Sequence, residues 1–161
     1  GSFTGLRIGL SVVKGMAYAL KIPITGVSSL RILASQVCPT PYLICPMLDA
    51  RKKEVYYSKF RFQHGRLIRL DDDRVDSPET MISEIHEPTI FIGNGAQKYQ
   101  KLIKHQNPDL FYTASDPLNQ IRASHLAFIG LEKIEKNQID SIESVAPRYI
   151  RKSDAELNFN S

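Results

Sequence analysis

The sequence has no tryptophan and only two cysteines in 161 residues. Cys38 and Cys45 are not in CxxC spacing, which argues against a disulfide-knit secreted scaffold or a zinc ribbon and fits a reducing compartment. No apolar run approaches the ~20 residues a membrane-spanning helix needs, and no leader peptide is read at the start. The four histidines, His64, His86, His105 and His125, form no HxxxH or HxxH pair and have no acids clustered beside them, so we expect no metal site. The GxxxxGK[ST] phosphate loop is absent. No nucleophile is paired with a base in any pattern that peptidase chemistry would need. The chain also lacks an initiator Met and opens inside a glycine motif, from which we expect a fragment or processed product of a longer protein.

What is present is an ordinary globular composition, 42% hydrophobic and 24% charged. A chain of this size removes about 70% of its unfolded surface from water, enough for a core without disulfide or metal. The net charge of +4 conceals a split. Residues 1–70 carry eleven Lys and Arg against two acids, a net of +9, and residues 71–161 carry ten against fifteen, a net of −5. Either the first half meets an anionic partner such as nucleic acid, or the two halves are surfaces of unequal sign.

The periodicity predicts helices over 6–21 and 29–37, the second capped by Ser28, with a short buried strand over 22–27 between them. A strand follows over 42–48, pushed toward an edge or bulge by Pro46. After a charged turn at 49–53, residues 54–63 alternate, with Tyr56, Phe60 and Phe62 on one face and Tyr57, Lys59 and Arg61 on the other. His64-Gly65 turns this strand into 66–70. Asp71-Asp72-Asp73 reads as a solvated loop, because consecutive acids cannot all face one cation. Ser77-Pro78 starts a short helix with Met81, Ile82 and Ile85 inward. A strand over 89–92 runs into Gly93-Asn94-Gly95, and a helix over 96–105 carries Tyr99, Leu102 and Ile103 inward. A strand over 109–112 and a helix over 124–136, capped by Ser124 with Leu126, Phe128, Ile129 and Ile134 inward, complete the pattern. Strands alternating with helices argue α/β, and the meander at 42–70 adds an antiparallel part.

Two segments carry functional candidates. Gly1, Ser2, Phe3, Thr4 and Gly5 form a glycine loop before the first helix. It reads either as an anion-binding turn or as a structural turn in which Thr4 caps the helix. Within helix 6–21 the polar residues Arg7, Ser11, Lys14, Tyr18 and Lys21 fall within a stripe about 80° wide at ~100° per residue. A surface helix needs only one apolar stripe, roughly 100° wide. This helix has far more and should be covered on two sides. Leu6, Gly9, Leu10, Val13 and Met16 are the expected partner interface. The second candidate is the basic hairpin 51–69, where Lys59 and Arg61 lie among aromatics as a possible RNA contact. Cys38 and Cys45 read as inert thiols.

The run Gly1 to Leu20, followed by Gly26-Val27-Ser28-Ser29-Leu30, resembles the TsaB (YeaZ) family, whose members carry GPGSFTG(L/V)RIG, a helix and a G-V-S-(S/T)-L turn. Leu48 to Tyr56 matches the family's D-A-R-x-x-E-V-Y turn. Gly93-Asn94-Gly95-Ala96 matches G-(N/D)-G-A. Pro147 to Arg151, with Asp154-Ala155-Glu156, matches the closing P-x-Y-(L/I)-R…A-E segment. The resemblance implies an α/β protein of the actin-like ATPase (RNase H-like) fold, cytoplasmic, without a cofactor of its own. It further implies a non-catalytic subunit in making threonylcarbamoyladenosine in tRNA. The subunit would pair with the catalytic paralogue TsaD, be joined by the ATPase TsaE and meet tRNA indirectly. TsaD holds a metal with an HxxxH pair that this chain lacks. An older glycoprotease label attached to the wider family would need a metal or an activated nucleophile, and neither is read here.

Family members begin with a strand carrying L-A-(L/I)-D-T-S and an additional helix, which are not in this sequence. We therefore expect residues 1–41 as the remnant of a first lobe, 42–145 as a complete second lobe with the meander, and 146–161 as a tail. The exposed apolar face of helix 6–21 would then favour association, including a homodimer through that helix. The other readings are an RNA-contacting module and, third, a stand-alone ATP-binding or peptidase enzyme.

Overall fold

The computed structural model describes residues 3–148 and 150. The chain divides into two compact units, residues 28–125 in one and residues 1–27 with 126–161 in the other. These limits differ from the expected 1–41, 42–145 and 146–161. Residues 28–41 go with the sheet because helix α2 (Ser29–Ser35) lays Leu30, Leu33 and Ala34 on Ile44, Phe60 and Ile92. The other boundary falls in the first turn of a helix over Ala123–Glu135.

The larger unit is organised by β1 (Leu43–Arg51). One edge of β1 pairs in parallel with β6 (Thr89–Ile92), which pairs in parallel with β7 (Phe111–Thr113). The other edge is antiparallel to β3 (Phe60–Gln63) and then to β2 (Glu54–Tyr57). Beyond them lie β4 (Arg66–Arg69) on β3 and β5 (Arg74–Asp76) on β2. The antiparallel strands β1 to β5 thus continue into the parallel strands β6 and β7 on the same sheet. The expected meander and α/β class are both present, and β5 was not expected.

Pro46 lies in the central strand, not at an edge. Proline offers no N–H to a ladder, and the antiparallel side breaks opposite it. The register Met47 with Tyr57 and Ile44 with Phe60 places Ser58 against Pro46. There β2 stops and β3 begins. The unpaired groups find partners in Asp71, whose Oδ1 accepts from Lys59 N at 2.5 Å and from Ser58 Oγ at 3.1 Å. The acidic run is a loop, as expected, with Asp72 exposed, but it is only partly solvated: Asp71 mends the broken ladder, and Asp73 pairs with Arg69 at 2.7 Å and accepts from Ser28 Oγ at 3.0 Å.

Alternation along β1 fills both faces. Leu43, Cys45 and Met47 join Val55, Tyr57, Phe91 and Phe111 beneath Met81, Ile82, Ala96 and Ile103. These last four come from α3 (Pro78–Ser83), α4 (Asn94–Lys98) and α5 (Gln100–Gln106). Ile44, Phe60 and Ile92 occupy the opposite face under α2. As expected, Ser77 caps α3 by accepting from Thr80 N at 3.1 Å, and His64-Gly65 forms the β3–β4 turn, both with positive φ. The expected helix over 96–105 is broken into α4 and α5 at Tyr99.

The smaller unit contains α1 (Phe3–Leu20) and most of α6 (Ala123–Glu135). Residues 22–27 form no strand. A ladder needs a neighbour of matching length, and here a single bridge joins Ile24 to Asp140. Gly26 N donates to Asp140 Oδ2 at 2.7 Å, and Lys133 Nζ donates to Gly26 O at 2.7 Å. Helix α6 begins at Ala123, so Ser124 lies inside it. Ile129 is buried as expected, whereas Leu126 and Phe128 are exposed. No described helix is long and apolar enough to cross a membrane.

Candidate partner interface

Helix α1 is eighteen residues long, with no acid in its first turn and no base in its last. It starts at Phe3, so Thr4 and Gly5 lie within its first turn and Thr4 is not a cap. Gly1 and Ser2 lie outside the described residues. At the other end Lys21 takes a left-handed conformation, φ 54°, and Ile22 N donates back to Ala17 O at 3.1 Å. This is the six-to-one bond that closes many helices, and Pro23 prevents further winding.

Among the described residues, only a narrow side of α1 meets protein. Ala17 is buried, Leu10 and Lys14 are half-buried, and Lys14 Nζ donates to Glu143 O and Val145 O, each at 3.2 Å. Leu6, Ile8, Val12, Val13, Met16 and Leu20 are each between 49% and 63% exposed. With Gly5, Gly9, Gly15 and Ala19, also exposed, they sweep an unbroken apolar arc of about 180° at 100° per residue. A Cβ added at Gly9 or Gly15 would meet nothing within 4 Å, so another backbone has room to approach closely there. Of the expected interface residues, Leu6, Gly9, Val13 and Met16 lie on the arc and Leu10 at its margin. Ile8, Val12 and Leu20 extend it. Their signal was the helix periodicity itself, which leaves no polar residue on that side.

The structure brings together two motif segments that lie far apart in sequence. The carboxyl end of β1 meets the turn after β6, where Gly93 has φ 109° and a Cβ would collide with Met47 O. At Gly95 a Cβ would lie 3.0 Å from the same backbone. The glycines are thus required by close packing of α4 on β1. Asp49 N donates to Asn94 Oδ1 at 3.0 Å, and Lys98 Nζ lies 3.0 Å from both Asp49 oxygens. Burial raises the Asp49 pKa, but Lys98 and the Arg51 N–H together outweigh it and hold the carboxyl below its ordinary value. Asn119, which no periodicity marks, accepts from Gly93 N at 2.6 Å through a buried side chain.

The basic hairpin is arranged differently from expectation. Tyr57 is fully buried, its hydroxyl donating to Asp76 Oδ2 at 3.1 Å beneath the Arg74 guanidinium. Lys59 pairs with Glu84 at 3.5 Å and Arg61 with Glu87 at 2.5 Å. Lys59 and Arg61 are therefore charge-compensated, and Tyr57 offers no face to a base. Among the described residues no three His, Cys, Asp or Glu side chains converge as metal ligands. Ser35 Oγ lies 3.0 Å from His125 Nδ1 but donates to Ile32 O at 2.7 Å. Its proton is committed to the backbone, so the histidine does not activate it as a nucleophile. Cys38 is exposed, and Cys45 is buried with its thiol pKa pushed up by desolvation.

A family model described as TsaD, tRNA N6-adenosine threonylcarbamoyltransferase, matches residues 1–159. The chain is 32% identical to the tRNA threonylcarbamoyladenosine biosynthesis protein TsaB of Bacillus subtilis, over 99% of this chain and 69% of that protein. It is 26% identical to TsaB of Escherichia coli, over 94% and 67%. Among solved structures, YeaZ from Pseudomonas aeruginosa superposes with a TM-score of 0.71 at 25% identity, covering 92% of this chain and 69% of that one. A second P. aeruginosa structure, described as similar to peptidase YEAZ, gives 0.74 at 26%, covering 94% and 69%. The chain spans about two thirds of the length of these relatives. With the antiparallel-to-parallel sheet described above, these matches show the actin-like, RNase H-like fold, and the chain belongs to the TsaB (YeaZ) family of tRNA threonylcarbamoyladenosine biosynthesis proteins.

Proposed function

We propose that the chain serves threonylcarbamoyladenosine formation in tRNA as a non-catalytic docking subunit, pairing through α1 with the catalytic paralogue TsaD in an assembly joined by the ATPase TsaE. The observation that carries the reading is the exposed apolar arc of α1. Such a surface on one helix is far larger than a solvated helix carries, and contiguous apolar patches of this kind mark association sites. Open space at Gly9 and Gly15 suits close approach of a partner helix. Family membership supplies the process, and tRNA is met through the assembly. In the absence of TsaD the same arc would pair two copies of the chain about a two-fold axis.

Val13→Glu places a charge on the arc, beside Leu6, while leaving the rest of the protein untouched. Co-expressed with TsaD from the same source, this variant should fail to co-purify while wild type is retained. Survival of an unchanged complex would show that the assigned face is wrong. Lys14→Ala, on the side that meets residues 143–145, should leave co-purification intact.

A further inference from the structure

After Thr113 the chain leaves the sheet, and the next α-helix starts only at Ala123. The segment between them, residues 114–122, contains one 3₁₀ turn, Asp116–Asn119, and no strand. Backbone without a ladder must find its hydrogen-bond partners elsewhere. Here two buried amide side chains supply them. Gln36, the residue that ends α2, is 7% exposed. Its Nε2 donates to Leu118 O at 2.6 Å and to Gln120 O at 3.0 Å, and its Oε1 accepts from Arg122 N at 2.8 Å. Asn119 is 5% exposed. Its Nδ2 donates to Ala114 O and Ser115 O, each at 3.3 Å, and its Oδ1 accepts from Gly93 N at 2.6 Å. Apolar attachment is slight by comparison. Ala114 and Leu118, both half-buried, pack against the cluster under α2, whereas Ser115, Asp116, Pro117, Gln120, Ile121 and Arg122 are exposed.

Many directional bonds over little buried apolar surface set a segment at the low end of local stability. Satisfied polar networks are also cooperative, because each bond fixes the geometry of the next. We propose that residues 114–122 form a strap that opens and closes in one step while the sheet stays folded, with Gln36 and Asn119 as its latch. The two amides fasten it at separate places, the end of α2 and the turn after β6. Opening uncovers the apolar surface that Ala114 and Leu118 cover and frees the first turn of α6 from the strap. Both latch groups are neutral amides, so the device does not depend on the ion pairs of the sheet. All of these contacts lie within residues 28–125, and the inference is independent of the docking reading of α1.

Amide hydrogen exchange of the chain, read residue by residue by NMR at urea concentrations below the unfolding transition, tests it. In wild type, Arg122 and Gly93 should exchange through an opening that responds little to urea, because little surface is exposed. Leu43 and Thr89, whose N–H groups donate to Pro88 O and Leu110 O at 2.9 Å each, should show the steep response of global unfolding. Gln36→Leu deletes three bonds at similar side-chain size and should speed exchange at both Arg122 and Gly93 by at least about tenfold. Leu43 and Thr89 should move only with global stability. Gly93 is the telling probe, since Gln36 makes no bond to it. Gln97→Ala, which deletes the exposed bond to Asp116 at 3.1 Å, should leave both strap rates as they are. An unchanged Gly93 rate in Gln36→Leu would overturn the single latch and leave two independent contacts. Equally steep urea dependence at Arg122 and Leu43 in wild type would overturn the strap itself, and that measurement decides even where the variant fails to fold.

Discussion

The sheet unit and the helix α1 divide the physical tasks of this chain between them. In the sheet unit both faces of β1 are covered, the broken ladder at Pro46 is mended by Asp71, and Lys59, Arg61, Arg69 and Arg74 meet carboxylates. Helix α1 has the opposite character: among its described side chains one is buried, and an apolar arc is exposed. The first region is completed by its own residues, whereas the second leaves an apolar surface that none of the described residues covers. Stability and docking should therefore respond to different substitutions.

The largest separation is expected between Phe91 and Val13. Phe91 is fully buried and meets Phe111 edge-on at 5.3 Å. Phe91→Ala should cost about 3–5 kcal/mol through lost burial and the cavity left behind. Val13→Ala removes an exposed side chain from a helix and should stay within about 0.5 kcal/mol. Urea unfolding of the two variants measures both. If Val13→Ala proved as costly as Phe91→Ala, and the cost depended on protein concentration, α1 would already be covered by a second copy.

A smaller effect, still confined to the sheet unit, is expected at Gly93. Its φ of 109° and the Met47 carbonyl leave no place for a Cβ. Gly93→Ala should lose about 2–4 kcal/mol, from backbone strain combined with overpacking. Gly9→Ala, where the added methyl group meets nothing, should be neutral or stabilising for the free chain, because alanine favours the helix by about 1 kcal/mol. Yet it should weaken TsaD capture if a helix packs closely there. Thermal melting and co-purification of the same two variants sharpen the comparison, since the two readouts should move in opposite directions.

Legibility followed the same division. The strand at 89–92, the His64-Gly65 turn, the capped α3 and the apolar excess of the first helix were all readable, because each is encoded by local periodicity or turn chemistry. Pro46 misled, since proline argues for an edge unless the neighbouring strand breaks opposite it, and that break depends on Asp71 thirteen residues beyond Ser58. The burial of Tyr57 was hidden for a related reason. Alternation separates two faces but does not say that both will be covered, and α3 covers the second. Phe128 misled in the other direction, as an aromatic on an amphipathic helix that lies exposed. Asn119 and the Asp49–Lys98 pair had no local signature, because their partners come together only when the ends of β1, β6 and β7 are side by side.

The mildest effect concerns pH and tests whether the ion pairs belong to the sheet unit alone. Hydrogen bonding to Arg74 holds the Glu84 carboxyl below its ordinary value of 4.5. A carboxylate depressed in the folded state adds stability that is present above its unfolded pKa and lost as pH falls through the folded one. Glu84 is mostly solvent-facing, so screening keeps the contribution modest. Wild type should therefore lose stability between about pH 5 and pH 3, and Glu84→Gln should lose less over the same interval, as read from urea midpoints. Parallel curves would show that the Arg74–Glu84 pair contributes nothing. Helix α1 carries no carboxylate, so capture of TsaD through its apolar arc should stay level over the upper part of that interval, where both proteins remain folded. A capture that fell in step with the Glu84 titration would place charge pairs in the docking surface and erase the distinction between the two regions.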